Sequence, residues 1–195
     1  MNKILTFVLL LVVLPAQAAT GPEKLIKDTS DKVIAEIREN ADRYQSNPQS
    51  IYQLVDEVVL PHFDFTAMTD LALGRYKDDV AADQKPTIVK AFRQLLVRTY
   101  SSALLEYTDQ LLIYLPMEGS EESGRVVVRT EIEQQSGFPI PINYSLRLGD
   151  NGWKVVDISV DEVSLVTNYR SSFARAIKKD GVGGLIKTLQ ERNQE

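Results

Sequence analysis

The chain has 195 residues, among them 22 lysines and arginines, 27 aspartates and glutamates, one histidine and no cysteine. The net charge of −5 and the lack of a basic run argue against nucleic acid as a partner. Disulfide bonds are excluded, and with a single histidine we expect no transition-metal site. One domain of this size buries a core large enough to fold without such crosslinks.

The first 18 residues have the three parts of a secretory signal. Lys3 gives a positive start, residues 4–14 are apolar apart from Thr6, and a small-x-small ending closes at Ala18. This eleven-residue run is too short for a membrane anchor, which needs about 20 apolar residues. We expect cleavage after Ala18, which leaves residues 19–195 as one exported domain with a net charge of −6.

Apolar residues recur every three or four positions in the first half of the remaining chain, which predicts four helices. Pro48 and Pro61 end the first two helices, because the residue before a proline disfavours the helical conformation. The predicted helices are Leu25 to Tyr44, Ile51 to Leu60, a short third one capped by Asp64 and ended by Gly74, and a fourth, the longest, capped by Asp83 and continuing to Tyr107.

From Asp109 onward the apolar residues alternate with polar ones, which predicts strands. Four antiparallel strands with one apolar face each need a cover, and the flanking helices supply it. The tetrapeptide from Gly149 to Gly152 predicts a tight hairpin between the last two strands. The strands are expected at Leu111 to Pro116, around Val126 to Ile132, around Ile142 to Leu148 and from Trp153 to Val160, with a loose turn at Met117 to Gly124.

After the Trp153 strand the spacing becomes helical again. Val166, Tyr169, Phe173 and Ile177 form one apolar stripe that turns back onto the strand. A last short helix is expected from Gly181 to Leu189. A sheet with helices packed on it predicts an α+β fold.

His62 and Asp64 are the residues that come nearest to a catalytic pair. One interpretation is acid/base catalysis. The other, which we favour, is that Asp64 caps a helix and His62 fills the turn after Pro61, since a lone histidine without a nucleophile is little basis for an active site. The aromatic residues near the helices leave a similar choice open, because a packed core and an apolar ligand cavity need the same residue types.

Six segments, in order along the chain, form one recognisable set: Pro61 to Phe65 with Met68, Ala72 to Tyr76, Phe92 to Tyr100, Gly152 to Asp157, Val163 to Val166, and Asn168 to Arg170 with Phe173. Together they resemble the periplasmic lipid-carrier component of the Mla (maintenance of lipid asymmetry) pathway, the family also called toluene-tolerance auxiliary proteins. Two positions depart from that family: Lys77 stands where the family usually has tryptophan, and Glu162 where it usually has glycine.

The resemblance implies an NTF2-like fold, in which a four-stranded antiparallel sheet and helices enclose a deep apolar cavity. It implies a monomeric periplasmic phospholipid carrier with no catalytic group and no cofactor, which buries the acyl tails of its phospholipid cargo and leaves the headgroup near solvent. The implied partners are an outer-membrane lipoprotein with its porin and an inner-membrane ABC transporter with a lipid-binding ring. Two rivals remain: an NTF2-like enzyme acting on an apolar small molecule through Asp64 or His62, and an adaptor with a solid core.

Under the carrier hypothesis, twelve residues are expected to line the tail cavity, assigned from the apolar faces of the predicted elements and from the family likeness. They are Phe65, Met68, Leu71, Phe92, Leu96, Tyr100, Val128, Tyr144, Leu146, Ile158, Val166 and Tyr169.

Overall fold

A computed structural model describes residues 21–106, 110–134 and 137–194. The predicted signal sequence, residues 1–18, and Tyr107 lie outside the described residues. Within those ranges no helix combines the length and apolar character needed to cross a membrane.

The helices come mainly before the sheet, with one long helix after it. The chain breaks the predicted first helix at Asn40, where φ is −118° and ψ is 33°. The predicted second helix is α-helical for one turn only and continues as a π turn, Val55–Val59, and a 3-10 turn, Leu60–His62. The α-helices of the described residues are α1 Pro22–Glu39, α2 Ala41–Ser46, α3 Ile51–Leu54, α4 Phe65–Leu73, α5 Lys85–Tyr100, α6 Ala103–Glu106 and α7 Leu165–Arg192.

The first turns of α4 and α5 show whether the two predicted capping residues, Asp64 and Asp83, cap these helices. The Oδ1 atom of Asp64 accepts a hydrogen bond of 2.8 Å from the backbone N–H of Ala67, so this cap is confirmed. The prediction that Asp83 caps α5 is wrong: α5 begins at Lys85, and its first turn has no side-chain cap. Pro86 sits in that first turn, where its fixed φ favours a helix start without a capping side chain.

The longest helix is α7, with 28 residues, whereas α5 has 16. It begins with Ser164, whose Oγ atom accepts a hydrogen bond of 3.0 Å from the N–H of Thr167. The break expected at Gly181 is present as a kink, because Asp180 and Gly181 leave the helical conformation while the helix continues beyond them.

The sheet has five antiparallel strands in the order β1-β2-β3-β4-β5, so the expectation of four strands is corrected. The fifth has two residues, too few for an alternating pattern to reveal it in the sequence. The hairpin predicted between Gly149 and Gly152 is confirmed, since these two glycines pair directly. The strands are β1 Leu112–Ser120, β2 Arg125–Ile132, β3 Ile140–Gly149, β4 Gly152–Val160 and β5 Val163–Ser164.

The pairing register places the apolar residues of the strands on one side of the sheet. Val128 lies opposite Tyr144, and Tyr144 lies opposite Ile158, so three strands contribute to one row. Tyr114 of β1 lies opposite Thr130 on the same side. We call this side the tyrosine face. Successive side chains of a strand point to opposite sides, so Val127 and Ser145 belong to the opposite face.

Helix α1 and the segment before α4 pack on the tyrosine face at the end where β3 turns into β4. Ile26 of α1 and Phe63 join an apolar cluster there with strand residues. Phe63 also pairs with Val155 at the edge of β4, which ties the start of α4 to the sheet. The strand members of this cluster are Val126, Val128, Leu146, Trp153 and Val155.

A second apolar core lies among α4, α5 and α7. Phe92 is fully buried at its centre, with ring centroids 5.0 Å from those of Tyr169 and Phe173 in edge-to-face contacts. Such pairs stabilise the packing beyond the burial of their area. The three helices therefore form a rigid layer beside the sheet.

The turn between β4 and β5 places two consecutive non-glycine residues in the left-handed region, Asp161 with φ 49° and Glu162 with φ 64°. A residue with a Cβ atom pays for this conformation in steric strain, which glycine avoids. The family that the sequence resembles usually has glycine at the position of Glu162, and glycine avoids this strain.

We expect the substitution Glu162→Gly to raise the free energy of unfolding by about 0.5–1 kcal/mol, because relief of left-handed strain exceeds the entropy cost of glycine. Urea denaturation measures the change. Glu131→Gly, in the regular part of β2, is the control and should lower stability. No gain from Glu162→Gly would show that the turn is unstrained.

Candidate functional site

The predicted tail residues fall into two groups in the structure. Val128, Tyr144, Leu146 and Ile158 lie together on the tyrosine face. A second group belongs to the helical layer of α4, α5 and α7, where its members are buried or half-buried: Phe65, Met68, Phe92, Leu96, Tyr100, Val166 and Tyr169.

Phe65 connects the two groups. Its ring stacks on that of Phe63 with centroids 5.7 Å apart, and Phe63 packs in the cluster on the tyrosine face. Phe65 also packs against the helical layer and against a third cluster that joins α1 to α3. Leu71 of α4 stands apart from both groups, since it is 41 % exposed.

The helices cover the tyrosine face unevenly. In the middle of β3 and β4 the strand residues are sealed, with Leu146 2 % and Val155 1 % exposed, whereas Leu148 beside the hairpin is 45 % exposed. Toward the other end Ile142 and Ile158 are only half-buried, and Val160 is 38 % exposed. An apolar strip of sheet thus continues beyond the part that the helices close.

Two of the predicted tail tyrosines lie in water-poor environments, Tyr144 on the tyrosine face and Tyr100 in the helical layer. Burial raises the pKa of Tyr144 to about 12. Burial likewise raises the pKa of Tyr100 to about 12, with Tyr169 beside it. A raised phenol pKa of this origin indicates that the hydroxyl group is poorly hydrated.

The structure adds residues to this region that were absent from the twelve predicted ones. Tyr114 and Ile142 belong to the tyrosine face by register, and Met117 packs against its cluster. Alternation within the predicted strands was the signal that pointed to Tyr114 and Ile142. Met117 was expected in a turn, but β1 continues through a bulge to Ser120.

Two clefts open next to the sheet. The larger, about 750 Å³, lies between α4 and the opposite face of the sheet and is bordered by Leu71, Val127 and several charged residues. The smaller, about 380 Å³, lies between α1 and β1, with Tyr114, Leu115 and Val128 among its walls. Both clefts therefore reach predicted tail residues, the larger one Leu71 and Leu146 and the smaller one Val128.

His62 and Asp64 do not form a pair in the structure. Both carboxylate oxygens of Asp64 are engaged, since Oδ1 caps α4 and Oδ2 accepts a hydrogen bond of 2.8 Å from Arg147. Burial, and then the positive charges of Lys154 and Lys32, lower the pKa of His62. Asp64 thus anchors the start of α4 to the sheet, in agreement with the structural interpretation of this residue.

The part of the chain that the structure describes contains no group of three or more histidine, aspartate or glutamate side chains placed to hold a metal ion. The charged residues near the clefts are instead engaged with each other in several cases, such as Arg129 with Glu118 at 3.1 Å. The tyrosine face and its surroundings therefore offer apolar surface and hydroxyl groups as their main means of binding.

Fold and site together define an α+β protein whose antiparallel sheet keeps an apolar face partly open beside a layer of helices. The chain belongs to the MlaC protein family, whose family model matches residues 27–191. The family resemblance found in the sequence is therefore confirmed.

Two curated relatives and one solved structure are similar to the chain over most of its length. The intermembrane phospholipid transport system binding protein MlaC of Haemophilus influenzae is 29% identical, covering 96% of this chain and 90% of the relative. The toluene tolerance protein ttg2D of Pseudomonas putida is 25% identical, covering 88% and 80%. A phospholipid-binding protein of Ralstonia solanacearum, solved in complex with a phospholipid, is 35% identical with a TM-score of 0.82, covering 90% of this chain and 98% of that chain.

We expect Asp64→Ala to lower the free energy of unfolding by about 1–2 kcal/mol, through the lost helix cap and the lost contact with Arg147. Thermal or urea denaturation measures the loss. Asp83→Ala is the matched control, because Asp83 is exposed and α5 has no side-chain cap, so stability should barely change. Equal effects of the two substitutions would contradict the anchoring role of Asp64.

Proposed function

We propose that the chain is a periplasmic phospholipid carrier, in which residues 19–195 form one NTF2-like domain that holds acyl tails between the sheet and the helices. The phospholipid bound to the similar Ralstonia solanacearum protein and the transport role in the name of the Haemophilus influenzae relative support this function. Each methylene group withdrawn from water contributes about 0.8 kcal/mol, so a lipid with two long tails needs an apolar sheath to cross an aqueous compartment.

The observation that carries the proposal is the row Val128, Tyr144 and Ile158 across three neighbouring strands. Its central member, Tyr144, is withdrawn from water, which raises its pKa to about 12. The exposed apolar strip that continues to Val160 supports the same location, since monomeric proteins rarely leave such surface without a ligand or partner.

We assign the helical wall of the proposed tail site to residues of α4 and α5. Phe65 and Tyr100 are half-buried at the edge of the helical layer and suit direct contact with the tails. Met68, Phe92, Leu96, Val166 and Tyr169 are buried behind them and hold the wall in place. The headgroup stays near solvent.

The proposed partners follow from the job of a carrier. It has to receive and release lipid at membranes, so we propose an outer-membrane lipoprotein with its porin and an inner-membrane ABC transporter with a lipid-binding ring. Binding at either complex has to favour a conformation with lower lipid affinity, because a bound state that is never destabilised cannot deliver its cargo.

The direct test is organic extraction of the purified protein, expressed with its export signal and without detergent, followed by mass spectrometry. The unaltered protein should release phospholipid. Ile158→Glu and Val128→Glu each place a carboxylate among the tails. We expect each variant to lose at least nine tenths of its bound lipid, because burying an unpaired charge against acyl chains costs free energy. Ile158 is half-buried, so this variant keeps the charge near solvent and should fold.

Matched controls come from the neighbouring residue on the same strand. Ser159→Glu and Val127→Glu introduce the same charge on the opposite face and should keep their lipid. Circular dichroism confirms that each variant is folded. Retention of lipid by folded Ile158→Glu, or loss of lipid from Val127→Glu alone, would contradict the location of the tails.

The rival function is an NTF2-like enzyme that uses Asp64 or His62 as a base. His62→Gln separates the two, because a carrier does not need an ionisable group at this position. We expect the variant to carry as much lipid as the unaltered protein and to exchange it with vesicles at the same rate. Converted ligand in the unaltered protein, with only the unconverted form in His62→Gln, would favour the enzyme.

A further inference from the structure

Tyr114 carries a buried hydroxyl group that has no hydrogen-bond partner. Among the described residues, the buried side-chain polar atoms in this condition are Tyr114 Oη and Asn193 Oδ1. Leaving a buried donor unpaired costs free energy, so native proteins rarely keep one without a structural or functional reason. Burial accordingly raises the pKa of Tyr114.

A second hydroxyl group at the centre of the tyrosine face, that of Thr130, is already paired. Thr130 Oγ1 donates a hydrogen bond of 2.9 Å to the backbone oxygen of Ile142. Tyr114 lies opposite Thr130 across β1 and β2, and its Oη makes no hydrogen bond. Among the described residues of this face, the O–H group of Tyr114 is the buried hydroxyl that still needs an acceptor.

The surroundings of Tyr114 are half apolar and half charged. Helix α1 passes over its ring, where Lys27 Nζ lies 5.3 Å from the ring centroid and is paired with Asp31 at 2.6 Å. Ser30 comes close enough to lower the pKa of Tyr114, but Oη makes no hydrogen bond. The cleft of about 380 Å³ between α1 and β1 opens here, with Val128 at its apolar side.

This combination matches one part of a phospholipid. Acyl tails carry no acceptor, whereas the ester groups at the junction of tails and headgroup carry carbonyl oxygens, which only accept. The apolar wall by Val128 suits the first methylenes. The rim, with Glu23 and the ion-paired Lys24, Lys27 and Asp28, is polar and suits the end of the lipid that stays near water.

We propose that Tyr114 Oη donates a hydrogen bond to an acyl ester carbonyl of the cargo, so that the headgroup leaves between α1 and β1 while the tails run along the tyrosine face. This inference rests on the proposed carrier function and adds to it the position and polarity of the lipid. Tyr114 is then a specificity residue that distinguishes ester-linked from ether-linked lipids, because the latter have no carbonyl group.

The test is a competition between two lipids in one sample. The protein is incubated with vesicles that contain equal amounts of diacyl and dialkyl-ether phosphatidylglycerol of the same chain length, separated from them, and its lipid is measured by mass spectrometry. The unaltered protein should favour the ester lipid by about 5- to 10-fold, in line with the loss of one hydrogen bond to a buried donor. Tyr114→Phe should bind both lipids equally.

Tyr52→Phe, at a half-buried tyrosine of α3 outside the tyrosine face, is the control and should keep the preference for the ester lipid. Thermal denaturation of Tyr114→Phe without lipid should show no loss of stability, because the deleted hydroxyl makes no bond. Equal uptake of both lipids by the unaltered protein, or a preference that survives in Tyr114→Phe, would overturn the assignment of Tyr114. Failure to take up either lipid would instead overturn the carrier function itself.

Discussion

The packing of α1 and the segment around Phe63 against the tyrosine face is the interaction on which the rest of the structure depends. An antiparallel sheet tolerates water on one face, but its apolar face needs cover. Here the cover is complete around Leu146 and Val155 and incomplete at Val160 and at Leu148. The fold therefore stabilises itself on the middle of β3 and β4 and leaves apolar surface exposed at either side of it.

Polar contacts hold the helices at a set position beside this surface. Asp64 joins the start of α4 to Arg147 of β3, and Asp157 of β4 accepts a hydrogen bond of 3.1 Å from the N–H of Val166 at the start of α7. These side chains belong to the opposite face of the sheet, away from the tyrosine row. The anchors therefore maintain the separation between sheet and helices without contributing polar groups to the proposed tail site.

Local features of the structure were predictable from the sequence, and long-range ones were less so. The Asp64 cap and the Gly149–Gly152 hairpin depend on neighbouring residues, and strand alternation predicted that Val128 and Tyr144 face the same side. The two-residue β5 is too short for a pattern. The Asp83 cap failed because Pro86 allows the helix to begin without one.

The site shows the same division. Apolar periodicity does not distinguish a residue of the packed helical layer from a half-buried residue of the sheet. Phe92 and Ile158 are both apolar, and they differ only in how closely other elements approach them. The unpaired hydroxyl of Tyr114 depends on where α1 passes over β1, a distance between elements far apart in the chain. Such distances are set by packing, which a single sequence does not display.

A crystal structure of the protein purified without detergent tests the central claim most directly. The account predicts continuous electron density for acyl chains against the row Val128, Tyr144 and Ile158. Density for a lipid only in the cleft beside Leu71, or a tyrosine face closed by side chains with no room for a chain, would contradict it.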